Sequence, residues 1–325
     1  VVFHKGDYDF RDLYAWKDQV RPELAGPGAV YLDIDERRNR LVFGVEREAI
    51  DRFTEELRSF LRGTRVPIEA VIVEAVEPVQ PLELLTDKIR PVPAGVQITR
   101  QINSTTIGLC TLGTNAVRFG VKGFVTASHC TATRGVVEGS VFFQNTPGGS
   151  NQIGVETIDP PFFTGGSCPA GRQCRRSDAA FVAYDSTSLS AGPKIANPLL
   201  WGLGSGTVAV SPVTPRLLVT GFLFGSVSSG SGVYKVGRTT GGTFGSVTST
   251  CADTNVFAST ITMLCQDWTG AGSAGGDSGA PVFTQSGGEA TLAGILWGGN
   301  GASTIYSPWL YVFAELGGGP IPNAL

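Results

Sequence analysis

Gly275-Gly276-Asp277-Ser278-Gly279-Ala280-Pro281 sets one serine among three glycines, a composition that lets the backbone turn sharply and approach a bound chain closely. A serine hydroxyl is a weak nucleophile until a neighbouring base takes its proton. A tight turn of this kind also aims the amides of Gly276 and Ser278 at one point. Such a pair of N–H donors can stabilise an oxyanion, and losing one donor costs about 3 kcal/mol in the transition state. As a bare string, Gly-Asp-Ser-Gly also occurs in ordinary loops, so its meaning depends on what else the chain supplies.

A base comes first. The chain has two histidines, and His129 stands in Val125-Thr126-Ala127-Ser128-His129-Cys130. The apolar run 123–127 reads as a buried strand, which brings His129 to a strand end that a disulfide at Cys130 would lock. His4 reads as a surface residue. The third group is a carboxylate able to fix the imidazole tautomer and stabilise the imidazolium. Eight carboxylates lie between His129 and Ser278. Most sit beside Gly, Ser, Thr or Pro in loop-like sequence, whereas Asp178 opens the apolar run Ala179-Ala180-Phe181-Val182-Ala183-Tyr184. Asp185, at the far end of that run, is the alternative.

The surrounding sequence is strand-like. Short β-branched and aromatic runs at 123–127, 179–184, 207–213, 217–224 and 292–297 are separated by Gly, Ser, Thr and Pro, and helical periodicity is nearly absent until 309–316. That pattern predicts an all-β barrel or sandwich closed by a short helix.

The order His, Asp, Ser, the strings Thr126-Ala127-Ser128-His129-Cys130 and Gly276-Asp277-Ser278-Gly279, and an Asp followed by Ala-Ala-Phe-Val resemble chymotrypsin-type serine peptidases, especially the bacterial α-lytic and streptogrisin branch. The resemblance implies two six-stranded antiparallel Greek-key barrels, with His129 as general base, Asp178 as its orienting carboxylate, Ser278 as nucleophile and the Gly276 and Ser278 amides as the oxyanion hole. It also makes Val233-Tyr234-Lys235-Val236-Gly237-Arg238 similar to the segment whose arginine pairs with the aspartate before the nucleophile, so an ion pair of Arg238 with Asp277 is expected. The strand 293–300 would then pair with substrate backbone, and Leu296, Trp297, Gly298, Gly299 and Thr304 would line the substrate site. Leu32-Asp33-Ile34-Asp35 and Asn39-Arg40-Leu41-Val42-Phe43-Gly44-Val45 resemble a pro-region, and Ala94-Gly95-Val96-Gln97-Ile98 resembles the start of the mature enzymes.

Two positions depart from that pattern. Relatives carry a serine on the substrate strand whose hydroxyl touches the triad acid; here Leu296 or Trp297 takes its place, depending on register, so Asp178 is expected to lack that bond. Ala280 stands where a glycine is usual. The residue six before the nucleophile is Gly272, not an acid, and no histidine is left over to bind a glutamate side chain. A small or medium apolar residue before the scissile bond is therefore the expectation, with Thr304 shortening the pocket.

Farther out, the chain divides by charge. Residues 1–90 hold 14 Lys or Arg and 18 Asp or Glu, against 11 and 10 in residues 91–325. Strands at 29–35 and 40–45, a helix at 46–62 and a strand at 67–76 predict a small α+β domain, and the prolines at 78, 81, 91 and 93 read as a linker or processing site. The expected organisation is thus 1–92, a pro-domain and linker, and 93–325, a protease domain. The net charge of -3 is too small to imply nucleic acid or a membrane, and no stretch approaches the ~18 apolar residues of a spanning helix. All six cysteines (Cys110, Cys130, Cys168, Cys174, Cys251, Cys265) fall in the second part. Three disulfides in an oxidising compartment are expected; fifteen pairings are formally possible, and pairing neighbours would staple three local loops. The expected protein is a secreted, extracellular or periplasmic monomer. It needs no metal or organic cofactor, acts on peptides or proteins, and has its own pro-domain as inhibitor or folding aid. A protease-like binding protein without activity, or an esterase using the same residues, are the alternatives.

Overall fold

The computed structural model describes residues 6–79, 81–300 and 303–318, so His4 lies outside the described residues. The chain forms two compact units, Val1–Pro81 and Leu82–Leu325.

In the first unit the strands Ala29–Asp35 and Arg40–Glu46 pair antiparallel, and Val71–Val76 joins the second of them in parallel. A parallel neighbour needs a crossover, which the helix Ile50–Leu61 provides. Phe53, Leu57 and Leu61 recur on one face of that helix and are buried with Leu41, Phe43 and Val45. A further helix, Phe10–Val20, goes beyond the sequence reading. Asp9 caps it by accepting a hydrogen bond from the Arg11 amide (2.8 Å), and Leu13 and Val20 are its buried positions.

The second unit is built of strands, as its punctuation predicts. One seven-stranded sheet runs in the order Ile107–Thr111, Gln97–Gln101, Val141–Phe143, Gln152–Ile158, Ala180–Tyr184, Val121–Thr126, Thr114–Arg118. The other has eleven strands and includes Pro281–Ser286, Glu289–Gly299 and Thr304–Pro308. The strand-dominated, two-sheet character agrees with expectation. The strand numbers exceed six and six, and short pieces such as Val92–Ala94 and Gln173–Arg175 supply part of the excess. Some pairs, such as Arg216–Phe222 with Glu289–Gly299, are parallel.

The expected strand at 207–213 is reduced to isolated bridges at Ala209 and Val210. Pro198, the partner of Val210, has no N–H to continue a ladder. In the longest hairpin, Gly241–Asn255 with Ile261–Thr269, the first strand is rich in Gly, Ser and Thr and carries little hydrophobic signal. The core gathers Phe124, Phe142, Phe181, Phe283 and Trp309, and the closing helix is Trp309–Glu315. The disulfides join Cys110 to Cys130, Cys168 to Cys174 and Cys251 to Cys265, each a pair of sequence neighbours. No helix among the described residues is long and apolar enough to cross a membrane.

The boundary expected at 92/93 falls inside the second unit. Val92–Ala94 is a fully buried strand paired in parallel with Ser190–Ala196. Upstream, the Leu85 amide bonds the Val208 carbonyl (2.8 Å), the Val210 amide bonds the Glu83 carbonyl (2.7 Å), and Leu85 and Ile89 belong to the core. Proline misleads here because Pro93 lies in a strand at the end of its sheet, where a missing N–H is tolerated. The exposed stretch is shorter and earlier, with Glu77, Pro78, Val79, Pro81 and Leu82 all exposed.

Candidate active site

The strands Val121–Thr126 and Ala180–Tyr184 are antiparallel neighbours, with Ala180 opposite Thr126. The residues just after the first strand and just before the second therefore meet at one end of the sheet. There the Ser128 amide bonds the Asp178 carbonyl (3.2 Å), and Nδ1 of His129 lies 2.5 Å from Oδ2 of Asp178. Asp178 is fully buried, whereas the imidazole is 32 % exposed. Burial alone would raise the carboxyl's pKa; the charges of Arg134 and His129 overcome it and hold Asp178 well below the usual carboxylate range. Asp185 lies at the opposite end of Ala180–Tyr184.

Ser278 sits in the turn between Ile261–Thr269 and Pro281–Ser286, and Thr111 ties that turn to the histidine. The Thr111 amide bonds the Ser278 carbonyl (2.8 Å) and its hydroxyl bonds the Gly276 carbonyl (2.9 Å). The hydroxyl of Thr126 in turn bonds the Thr111 carbonyl (2.9 Å), and Cys110, beside Thr111, is disulfide-linked to Cys130, beside His129. Gly279 shows how close the approach is. Its φ is +90°, and a Cβ there would lie 2.3 Å from both the Thr111 carbonyl oxygen and the Thr126 hydroxyl. Among the described residues, neither the Gly276 nor the Ser278 amide donates to a protein acceptor, so both remain available to a ligand.

The expected ion pair of Arg238 with Asp277 is not formed. Asp277 is fully buried and pairs with Lys235, also fully buried, at 3.2 Å. Its other bonds come from the amides of Thr239 (2.8 Å), Thr240 (3.2 Å) and Ala274 (3.0 Å) and from the Thr240 hydroxyl (2.7 Å). With its lone pairs committed, the carboxylate has no place for Arg238, whose Nε instead bonds Gln97 (2.8 Å). Burial lowers the Lys235 pKa, and Asp277 partly restores it.

Two hollows meet at this site. One, of about 390 Å³, is lined by Ala271, Gly272, Ser273, Leu296, Thr304 and Ser278, among others, and by no charged side chain among the described residues. The Thr304 hydroxyl is taken up by the Ala271 carbonyl (2.5 Å) and the Ser273 hydroxyl (2.6 Å). The other, of about 510 Å³, is bordered by His129, Arg134, Trp297, Trp268, Phe257 and Ile305. Gly298 and Gly299 border both. They end the strand Glu289–Gly299, whose pairing with Pro281–Ser286 stops at Ile295 while pairing with Thr304–Pro308 continues to Gly299. One edge at 297–299 is left for another strand.

The bond expected to be missing at Asp178 is present from a different source. Leu296 is buried with Val282, Ala293 and Ala280 and gives Asp178 nothing. The Nε of Arg134 bonds Oδ1 of Asp178 at 2.8 Å, and the Ser307 hydroxyl accepts from the Asp178 amide (2.9 Å). Arg134, Lys235 and Ser307 are the site residues that sequence reasoning missed. Lys235 carried a readable signal, since strand alternation puts it on the face of buried Val233. Arg134, in a short loop rich in Thr and Gly, carried none. The described residues contain no group of three or more His, Cys, Asp or Glu able to hold a metal ion.

No protein-family model matches the chain, and no curated protein matches it. Among solved structures, a glutamic acid specific serine protease is 23 % identical, covering 71 % of this chain and 100 % of its own, with a TM-score of 0.48. Protease A of Thermobifida fusca is 22 % identical over 70 % of this chain and 97 % of its own (TM-score 0.45). An α-lytic protease homologue, N4, is 23 % identical over 70 % and 98 % (TM-score 0.47). These likenesses are distant.

Proposed function

We propose that this chain is a serine endopeptidase of the chymotrypsin type. The observation that carries the reading is the 2.5 Å contact of His129 with the fully buried Asp178, on a segment tied through Thr111 and the Cys110–Cys130 disulfide to the turn of Ser278. Ser278 attacks a peptide carbonyl while His129 takes its proton and passes it to the leaving amine, and water then repeats the sequence to release the acyl group. The free amides of Gly276 and Ser278 receive the oxyanion, and the open edge at 297–299 receives the substrate backbone.

The uncharged hollow beside Ser278 favours a small or medium apolar side chain before the scissile bond, because a lysine, arginine or glutamate would be desolvated there without a partner. The first unit is a pro-region that folds around its own core and is removed near the exposed residues 77–79, 81 and 82. Three disulfides fit an oxidising, extracellular or periplasmic setting. The rival reading, a silent binding protein, takes its motive from the unusual residues beside the substrate strand; Leu296 there gives Asp178 no bond, but Arg134 bonds its Oδ1 at 2.8 Å. In a peptide-library digest the processed protein should cleave after apolar residues and its Ser278→Ala variant should be slower by roughly 10⁴-fold or more. Cleavage after Arg, Lys or Glu would overturn the specificity, and undiminished cleavage by the alanine variant would overturn the mechanism.

A further inference from the structure

Arg134 is not a surface cation that happens to reach a carboxylate. It is 15 % exposed, with its guanidinium between the rings of Phe162 (5.9 Å) and Trp297 (5.8 Å) and one Nη on the Met263 sulfur (3.5 Å). Both rings are themselves held. Trp297 donates its Nε1 hydrogen to Gln266 (2.8 Å), and Phe162 is covered on another side by the guanidinium of Arg175 (5.6 Å). The backbone after Arg134 is fixed as well. The Gly135 amide bonds Asp159 (3.0 Å) and the Ser128 hydroxyl (3.2 Å), and Asp159 bonds Ser128 (2.7 Å) and Arg175 (2.7 Å). Gly135 has a φ of +79°, and a Cβ there would come within 2.8 Å of the Phe162 ring, so the loop that delivers Arg134 leaves no room for a larger residue.

Asp178 is thus gripped at both oxygens, by His129 at Oδ2 and by Arg134 at Oδ1. The remaining charged groups around it are Arg175, paired with Asp159 and lying 3.7 Å from Glu315, and no other charged side chain bonds the carboxylate among the described residues. A neutral hydroxyl orients a carboxylate and leaves its charge intact. A guanidinium orients it and compensates the charge, so the carboxylate attracts an imidazolium less strongly.

We propose that Arg134 is a positioning residue of the triad, holding Asp178 as a charge-compensated carboxylate and extending the working range of the site to lower pH. The proposal rests on the protease reading above. It acts through Asp178, and its effect is read on the acid limb of the rate profile.

The test measures kcat/KM against pH for an apolar peptide substrate, using full-length protein matured in the same way for wild type, Arg134→Gln, Arg134→Met and Arg134→Lys. Both neutral variants should move the acid limb upward by about one pH unit, as expected for removal of a unit charge near a buried pair. Arg134→Lys, which keeps the charge, should return the limb towards its wild-type position. A merely structural role would lower the rate at every pH and leave the limb where it was, and that result in a folded neutral variant overturns the proposal. Should neither neutral variant fold, Phe162→Leu opens one side of the guanidinium to water; its limb should rise by a few tenths of a pH unit, and an unmoved limb overturns the proposal. If wild type itself cleaves nothing at any pH, the protease reading falls; if wild type cleaves and the limbs coincide, only the role of Arg134 falls.

Discussion

Lys235 and Arg238 stand three residues apart, yet their positions differ sharply in consequence. Lys235 is buried against Asp277, one residue before Ser278, while Arg238 bonds the amide side chain of Gln97. Removing one member of a buried pair leaves the other charge uncompensated, at a cost of about 3–5 kcal/mol. Replacing a partly buried, hydrogen-bonded arginine costs about 1 kcal/mol. Lys235→Ala should therefore lower the urea midpoint far more than Arg238→Ala. Equal losses, or a larger one for Arg238, would show that the pairing is misassigned. The same contrast explains what sequence can reveal at this scale. The strings around His129 and Ser278 are local, so each is readable from a handful of neighbours. The contact of Arg134 with Asp178 spans 44 residues, and an arginine between Thr133 and Gly135 has no local feature that separates it from a solvated one.

At the scale of elements, the readable strands were those with an apolar face. Ala180–Tyr184 and Glu289–Gly299 match their predicted runs because they are buried in the body of the sheets. Gly241–Asn255 does not read as a strand, since its pairing is set by its partner Ile261–Thr269 and by a disulfide rather than by alternating hydrophobicity. The helix Phe10–Val20 is similarly weak, with only two fully buried residues. The turn of Ser278 depends on how closely it meets the strand that precedes His129. A methyl group at Gly279 would collide with Thr111 and Thr126 while forcing a side chain into a left-handed backbone. Gly279→Ala should destabilise the second unit by at least ~2 kcal/mol in denaturant unfolding, and it should depress turnover of the folded fraction because Ser278 moves with the turn. Unchanged stability would mean that this approach is looser than described.

For the whole molecule, the division at Pro81 alters what counts as the catalytic unit. Leu85 and Ile89 fill its core, and Val92–Ala94 pairs in its sheet, so a fragment 93–325 loses packing as well as the first unit. Burial of two such aliphatic side chains contributes roughly 3–6 kcal/mol. Fragment 82–325, refolded with residues 1–81 supplied in trans, should give a higher yield and a higher Tm than fragment 93–325 treated identically. Equal behaviour would place the 82–92 segment outside the functional fold. That boundary is not legible in the sequence because four prolines look alike in composition, and only the structure separates exposed Pro78 and Pro81 from buried Pro93. The most direct measurement treats the processed protein with a fluorophosphonate and locates the adduct by peptide mass spectrometry. The result expected is a single adduct on Ser278, abolished in His129→Ala; an intact Ser278 in folded, processed protein would contradict the account.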